Sequence, residues 1–487
     1  MLFKLDNDKY KYDLENLCRV FFPFEKISSN EDESGVKVVC ESENEFKVSV
    51  EVGEHSLCQN CAKSSDDDEN ARLFSVLLYN TLSQIMGYFP KWGILTGVRP
   101  AKLMHRLISS MGKDEALNYF EEKLLVSHEK AVLAQRVTAQ EDKIISLSTP
   151  DSFSLYISIP FCPTRCSYCS FVSHSMKSAK PLIAPYVDLL CSEIEYTAKI
   201  AKELKLKLKS IYFGGGTPTT LSAEQLDKII STIKLKFDLS DLLEFTVEAG
   251  RPDTITREKL VVLKNHGVDR ISINPQSFND DVLTAIGRNH TADDVVDAYH
   301  LAREVGFENI NMDFIAGLPG DTAESFKNSI DKAVQLGADS ITVHSLAMKR
   351  ASYMVSENLA QERADIQLAN EMVDYSNSTL SQSDYLPYYM YRQSKTCGNL
   401  ENVGWAKDGS QCLYNVFMMD ETHTVLSCGA GAVTKLRAPH GTEIERIYNY
   451  KYPFEYNNSF DEMINRKEGI KTFYLEYPLE SEQYVEQ

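Results

Sequence analysis

The sequence predicts an α/β chain: a partial (β/α)6 barrel over residues 150–355, preceded by an N-terminal α+β accessory domain at 1–145 and followed by a small C-terminal α+β region at 356–487. Three observations predict it. Six short β-rich runs alternate with longer helical patterns between about 153 and 350, the rhythm of parallel βα units. Before them lies a strictly alternating hairpin pattern, and after them a helical stretch and two segments rich in Tyr and Gly. Six units fall short of the eight that close a barrel, so the sheet is expected to stay open on one side.

In the N-terminal segment, "VKVVCESENEFKVSVEV" alternates apolar and polar residues as a β-hairpin does. The acidic loop "SSDDDEN" follows, and "ARLFSVLLYNTLSQIM" has the spacing of an amphipathic helix. Gly, Pro and basic residues interrupt "FPKWGILTGVRPAKLMHR", which reads as a structured loop leading into a further helix. Cys58 and Cys61 form a lone CxxC here, and a single pair does not make a four-ligand zinc site.

In the barrel segment the strands are "SLYISIPF", "KSIYFGGG", "LEFTVEAG", "RISINPQSF", "NINMDFIAG" and "SITVHSLAM", with helices such as "SAEQLDKIISTIKLKF" and "TREKLVVLKNHG" between them. Function is expected at the strand C-terminal ends. Immediately after the first strand comes "PFCPTRCSYCSF", with Cys162, Cys166 and Cys169 spaced Cys-x3-Cys-x2-Cys. Thiolates hold iron–sulfur clusters, and three of them ligate three irons of a four-iron cube, leaving the fourth open to a small ligand. A zinc site completed by His174 is the alternative reading of the same spacing. After the second strand, "GGGTPT" lets the backbone approach a ligand closely, or makes a plain tight turn. It is no phosphate loop, because no Gly-Lys-Ser/Thr follows. Glu248, Gln276 and Asp313 stand at the ends of strands three, four and five and point to the same mouth.

A formal net charge of −19 argues against a nucleic-acid partner, which needs clustered cations. No apolar run long enough for a membrane span or a signal peptide is found. Eleven unevenly spaced cysteines suggest reduced thiols in a cytoplasm.

Together, "YISIPFCPTRCSYC", "FGGGTPT", "EAG", "QSF", "IGRNHT" and "MDFIAGLPG" resemble the radical S-adenosylmethionine (SAM) superfamily, and within it the oxygen-independent coproporphyrinogen III oxidase family. The "WGILTGVRPAKL" loop and the C-terminal region extend the likeness to the long Gram-positive coproporphyrinogen dehydrogenase-like subgroup. The resemblance implies a 4Fe-4S cluster on Cys162, Cys166 and Cys169, and one or two SAM molecules. It places Tyr156, Tyr168, Gly215, Gly216, Thr217 and Glu248 at the first SAM, and Gln276, Arg288, Asp313 and Ala347 at a second, with Val433 near a C-terminal contact. It further implies a one-electron donor such as flavodoxin or ferredoxin, and reductive cleavage of SAM to a 5′-deoxyadenosyl radical. In the oxidase, hydrogen abstraction from a propionate then leads to decarboxylation of coproporphyrinogen III to protoporphyrinogen IX.

Two residues depart from the family pattern. Ser158 stands where relatives carry His, and Phe171 where oxidases carry a further Cys; the Phe resembles the haem-chaperone branch. The expected activity is the decarboxylation, against which these departures count, with two alternatives: a haem-binding chaperone that keeps the cluster fold, or a radical methyltransferase or ring-opening enzyme acting on haem. A chaperone needs an axial ligand, for which His344, Cys397, Cys412, His423 and Cys428 are candidates. A decarboxylase needs cations for propionates, with Arg251, Lys349, Arg350, Arg392 and Lys395 nearest the expected mouth. "PYYMYRQSK" interleaves Tyr388, Tyr389 and Tyr391 with Arg392 and Lys395, and its aromatic and cationic groups suit a tetrapyrrole.

Overall fold

A computed structural model describes residues 1–23, 25–29, 35–169, 173–347, 359–393 and 396–480. Phe171, Lys349, Arg350 and Lys395, and the side chain of Cys397, lie outside the described residues. The chain forms two compact units, each assembled from separate stretches of sequence: residues 1–139, 345–374 and 390–403 in one, 140–344, 375–389 and 404–487 in the other. The C-terminal third of the chain is thus divided between both.

In the first unit the hairpin forms as its alternation demands, β2 (Val36–Glu41) antiparallel to β3 (Phe46–Val52), with Val36, Val38, Cys40, Phe46, Val48 and Val50 all turned into the core. The chain start, β1 (Leu2–Leu5), adds to it in parallel, and β4 (His55–Cys61) closes the other edge. The amphipathic helix spans Asp67–Met86 and covers the apolar face with Phe74, Leu78 and Leu82. The interrupted loop leads into the helix Pro100–Met111, with Pro at its first turn, where a missing N–H costs nothing. Cys58 and Cys61 both sit on β4. An odd offset along a strand turns two side chains to opposite faces, so this CxxC cannot clasp one ion.

The second unit carries the βα series. All six expected strands are present: β5 (Ser152–Ile159), β8 (Lys207–Gly215), β9 (Glu244–Glu248), β10 (Arg270–Ser272), β11 (Asn309–Ala316) and β12 (Ser340–Ser345). Strands β5, β8, β9, β10 and β11 pair in parallel and in sequence order. Helix starts between them are chemically marked, with reciprocal capping boxes at Ser222/Gln225 and Thr291/Asp294. Two short strands, β6 (Phe161–Cys162) and β7 (His174–Ser175), pair across the base of the cysteine loop. The C-terminal region adds β13 (Leu386–Arg392), β14 (Glu401–Ala406), β15 (Thr424–Cys428), β16 (Val433–Arg437) and β17 (Ile444–Tyr448). The sheet runs β13-β14-β12-β11-β10-β9-β8-β5-β15-β16-β17, an open order with two ends. The C-terminal strands therefore extend the barrel sheet itself: β15 lies parallel to β5, and β16 and β17 continue antiparallel. No described helix is long and apolar enough to cross a membrane.

Candidate functional site

Glycine at 214–216 brings the loop after β8 against the start of the cysteine loop. A side chain at Gly216 would lie 2.5 Å from the Phe161 carbonyl, and one at Gly215 2.9 Å from Ser158 Oγ. The backbone uses that closeness: Gly216 N–H donates to Ile159 O and Thr217 N–H to Phe161 O, both at 2.7 Å. Cys162 Sγ then lies 3.5 Å from Thr217 Oγ1. The glycine run thus does more than make a turn, since it fixes where the first cysteine stands. Ser158 is buried and donates to Ala430 O at 2.8 Å, joining β5 to the C-terminal Gly-rich turn.

The rest of the cysteine loop is held from the strand ends beyond. Ser167 N–H donates to Ile286 O at 3.1 Å, and Thr164 Oγ1 to Gly287 O at 2.9 Å. Arg288 is buried; its Nη1 donates to Asn274 O at 2.6 Å and Gly250 O at 3.3 Å, and its Nη2 to Tyr168 Oη at 3.2 Å. Arg251 donates to Thr164 and, at 3.7 Å, to Cys166 Sγ. Expected as a propionate cation, Arg251 instead lies against the cysteine loop.

Glu248, Gln276 and Asp313 converge as their strand ends predict. Gln276 adopts φ +69°, a left-handed conformation rare outside glycine, and its N–H donates to Asp313 O at 2.9 Å. Asp313 accepts from Asn311 Nδ2 at 2.7 Å and lies 4.0 Å from His344 Nε2. Burial, with the charge of Asp313 adding to it, lifts the Glu248 carboxyl to about 7, against the opposing O–H bond from Tyr212 at 2.6 Å. Beside it Tyr156, Tyr212 and Tyr414 stack nearly parallel, with ring centres 4.5 Å apart for Tyr212 and Tyr414 and 6.0 to 6.2 Å for the pairs with Tyr156. Tyr414 was not legible from sequence as a partner of this site. Glu244 accepts from the N–H groups of Leu413 and Tyr414, capping the helix Leu413–Asp420 that presents the ring.

Other expected residues have different surroundings. Val433 is half-buried on β16, opposite Tyr448. Ala347 belongs to the first unit and bridges Thr396 there. The "PYYMYR" strand divides, Tyr388 and Tyr389 in the second unit and Tyr391 and Arg392 in the first, and all but half-buried Tyr391 are buried. Arg392 donates to the carbonyls of Leu95, Gly97 and Asn399 and lies 5.1 Å over the Trp92 ring, while burial pulls it down to about 9. It ties the "WGILTG" loop to β13 and offers no free fork to a carboxylate, so the substrate expectation for Arg392 is replaced by a structural role. Of the axial-ligand candidates, His423 is buried between Ser148 and Ser154, bonded at 2.8 Å on each ring nitrogen, and burial pushes it down to about 3. Cys412 donates to Glu244, and Cys428 is buried beside Thr197. These three are core residues; His344 alone of the described candidates stands at the strand ends.

The donor set fits a cluster with an open iron. The three thiols occupy one eight-residue loop, two of them half-buried and Cys166 buried, with buried guanidinium groups alongside. The His174 ring, the remaining ligand of the zinc alternative, packs edge-on against Tyr452. Arg288 Nε, Asn274 Oδ1 and both nitrogens of buried His290 have no hydrogen-bond partner among the described residues. Such orphans mark a place where a ligand is accommodated.

Residues 156–333 match the Radical SAM superfamily. Over 95% of this chain and 96% of its counterpart, the sequence is 35% identical to the oxygen-independent coproporphyrinogen-III oxidase-like protein HemZ of Bacillus subtilis (strain 168). It is 44% identical over 197 residues to the heme chaperone HemW of the same organism, spanning 40% of this chain and 51% of that one. Coproporphyrinogen III oxidase (HemN) from Escherichia coli, described as a radical SAM enzyme, shares the fold with a TM-score of 0.51 at 22% identity, over 66% of this chain and 72% of that chain. The chain therefore belongs to the radical SAM superfamily, in the family of oxygen-independent coproporphyrinogen-III oxidase-like proteins, and its cofactors are a 4Fe-4S cluster and S-adenosylmethionine.

Proposed function

We propose that the chain is a radical SAM enzyme acting on a tetrapyrrole, and that its reaction is the oxidative decarboxylation of coproporphyrinogen III to protoporphyrinogen IX. The observation that carries the reading is the nearly end-to-end likeness to an oxidase-like protein. Cys162, Cys166 and Cys169 are the proposed ligands of the cluster, which when bound supplies the electron that cleaves SAM. Tyr156, Gly215, Gly216, Thr217 and Glu248 form the proposed SAM cradle, and a carboxylate there accepts charge-assisted bonds from the ligand's polar groups. Gln276, Arg288 and Asp313 line the proposed second position, and Arg288 also donates to Tyr168 of the first. Tyr212 orients the Glu248 carboxylate, and the stacked tyrosines exclude water beneath it. A one-electron donor such as a flavodoxin or ferredoxin completes the requirement.

Haem binding is the second reading, favoured by the 44% identity with a haem chaperone and by His344 at the strand ends. Anaerobic incubation with coproporphyrinogen III, SAM and a low-potential donor separates the two. Loss of carboxyl groups by mass spectrometry, with matching 5′-deoxyadenosine, is the expected result. Unchanged substrate together with tight haem binding that His344→Ala weakens would favour the chaperone, and a gained methyl group or an opened ring would indicate the haem-modifying alternative. The Cys162/Cys166/Cys169→Ala triple variant should lose all cluster iron. Iron at the wild-type level in that variant would remove the ligand assignment.

A further inference from the structure

We propose that Arg251 is an outer-sphere residue of the cluster: through Cys166 it draws charge from the thiolate and raises the potential at which the cluster accepts an electron. The inference rests on the reading of Cys162, Cys166 and Cys169 as the ligands.

A guanidinium has five N–H donors. In Arg251 each has an acceptor. Nε donates to Asp253 Oδ1 at 3.1 Å, and Nη2 to Asp253 Oδ2 at 3.2 Å and Thr164 Oγ1 at 3.1 Å. Nη1 donates to Thr164 O at 3.4 Å and to Cys166 Sγ at 3.7 Å. The side chain is 4% exposed, so the sulfur takes the fifth donor in place of water. Rotation away would leave buried donors unpaired, which is costly. The backbone is fixed as well, because Thr254 donates to Arg251 O through both its N–H, at 2.9 Å, and its Oγ1, at 2.8 Å. Every polar atom of this side chain is thereby directed to the cysteine loop or to the carboxylate that steadies it.

Hydrogen bonds to ligating sulfur, net charge and solvent exclusion set cluster potentials. Reduction adds negative charge beside a buried cation in a medium of low dielectric, and the cation favours the reduced form. Arg288 acts on the same sulfur by charge and by a side-chain hydrogen bond, while its other donors are directed to carbonyls and to Tyr168. Arg251 makes an N–H contact to that sulfur at 3.7 Å with all five donors engaged, and none is left for a substrate carboxylate.

The test uses the full chain, reconstituted anaerobically as wild type, Arg251→Gln and Arg251→Lys. Iron and sulfide are counted, and the midpoint is read by redox titration followed by electron paramagnetic resonance. Arg251→Gln should keep its iron yet titrate lower, with a reduced-to-oxidised ratio about tenfold smaller at the wild-type midpoint, about 59 mV for a one-electron couple. Arg251→Lys, which keeps the charge and loses the fork, should fall between. Full iron with an unshifted midpoint in Arg251→Gln overturns the inference alone. Should Arg251→Gln lose its cluster, Arg251→Lys decides by the same shift, and loss of iron from both variants overturns the inference too. A wild type that takes up no iron removes the ligand reading and the inference with it.

Discussion

In the first unit Lys130 is taken out of water together with its counter-ions; in the second, Arg288 and His290 are taken out of water and left partly unpaired. Lys130 Nζ lies 2.5 Å from Glu401 and 3.1 Å from Asp374, Trp92 Nε1 donates to Glu401 at 2.8 Å, and Lys91 holds Asp374 from outside. Around the cysteine loop, Arg288 Nε, Asn274 Oδ1 and the His290 ring end without partners among the described residues. Both sets hold a buried cation, yet only one is closed. A closed set is architecture. An open one, sited at strand ends below three cysteines, is where the fold gives up local satisfaction for a ligand.

Breaking the closed set should give the largest effect. Lys130→Met removes the ion-pair partner of buried Glu401 and should cost about 3–5 kcal/mol. Denaturant unfolding followed by Trp92 fluorescence, in a background carrying Trp405→Phe, measures it. A cost below about 1 kcal/mol would mean that the two clusters do not differ in kind.

Glu248 tests the open side through pH. Its folded pKa, about 7, lies above the ordinary carboxyl value. The folded state therefore holds a proton that the unfolded chain releases, and this stabilisation is full below the ordinary carboxyl pKa and lost as pH rises through about 7. The wild type should lose about 1–3 kcal/mol between about pH 5 and 8, and Glu248→Gln should flatten that slope. Unfolding midpoints across the range settle it.

His290→Leu sharpens the contrast at smaller scale. Both ring nitrogens lack a partner among the described residues, so replacing the ring with an apolar group of similar size should change stability by less than about 1 kcal/mol, or raise it. A thermal scan that shows a large loss would reveal partners for this ring. Smallest of all, Cys58→Ser on the exposed face of β4 should stay within about 0.5 kcal/mol and leave iron content untouched, as inductively coupled plasma analysis of the reconstituted protein can check.

What was legible in the sequence was local. The cysteine spacing, the glycine run and the carboxylates at strand ends each declare themselves within a few residues of a β pattern, and the six strands follow from the same rhythm. What was not legible depends on distant partners. Lys130 and Glu401 are 271 positions apart, Arg251 and Cys166 85, and nothing near Tyr414 foretells its stacking on Tyr212. Arg392 was misread for a related reason. Tyr and Arg interleaved on a strand look like a ligand surface only if one face is open, and β13 is covered on both. Nor does a pattern of residues reveal that β15 comes back to lie beside β5.

The division of the first unit into residues 1–139, 345–374 and 390–403 has a consequence for synthesis. As the chain leaves the ribosome, its first 139 residues cannot complete their fold, because Lys130 meets neither Asp374 nor Glu401 until the whole βα series has been made. Contacts so distant in sequence carry a large loop-closure entropy and form late. The βα series, whose strands pair with near neighbours, is able to assemble first. A fragment ending near residue 145 would carry an unanswered buried lysine and should not persist as a folded piece, so the segment that emerges first is the one that must wait longest.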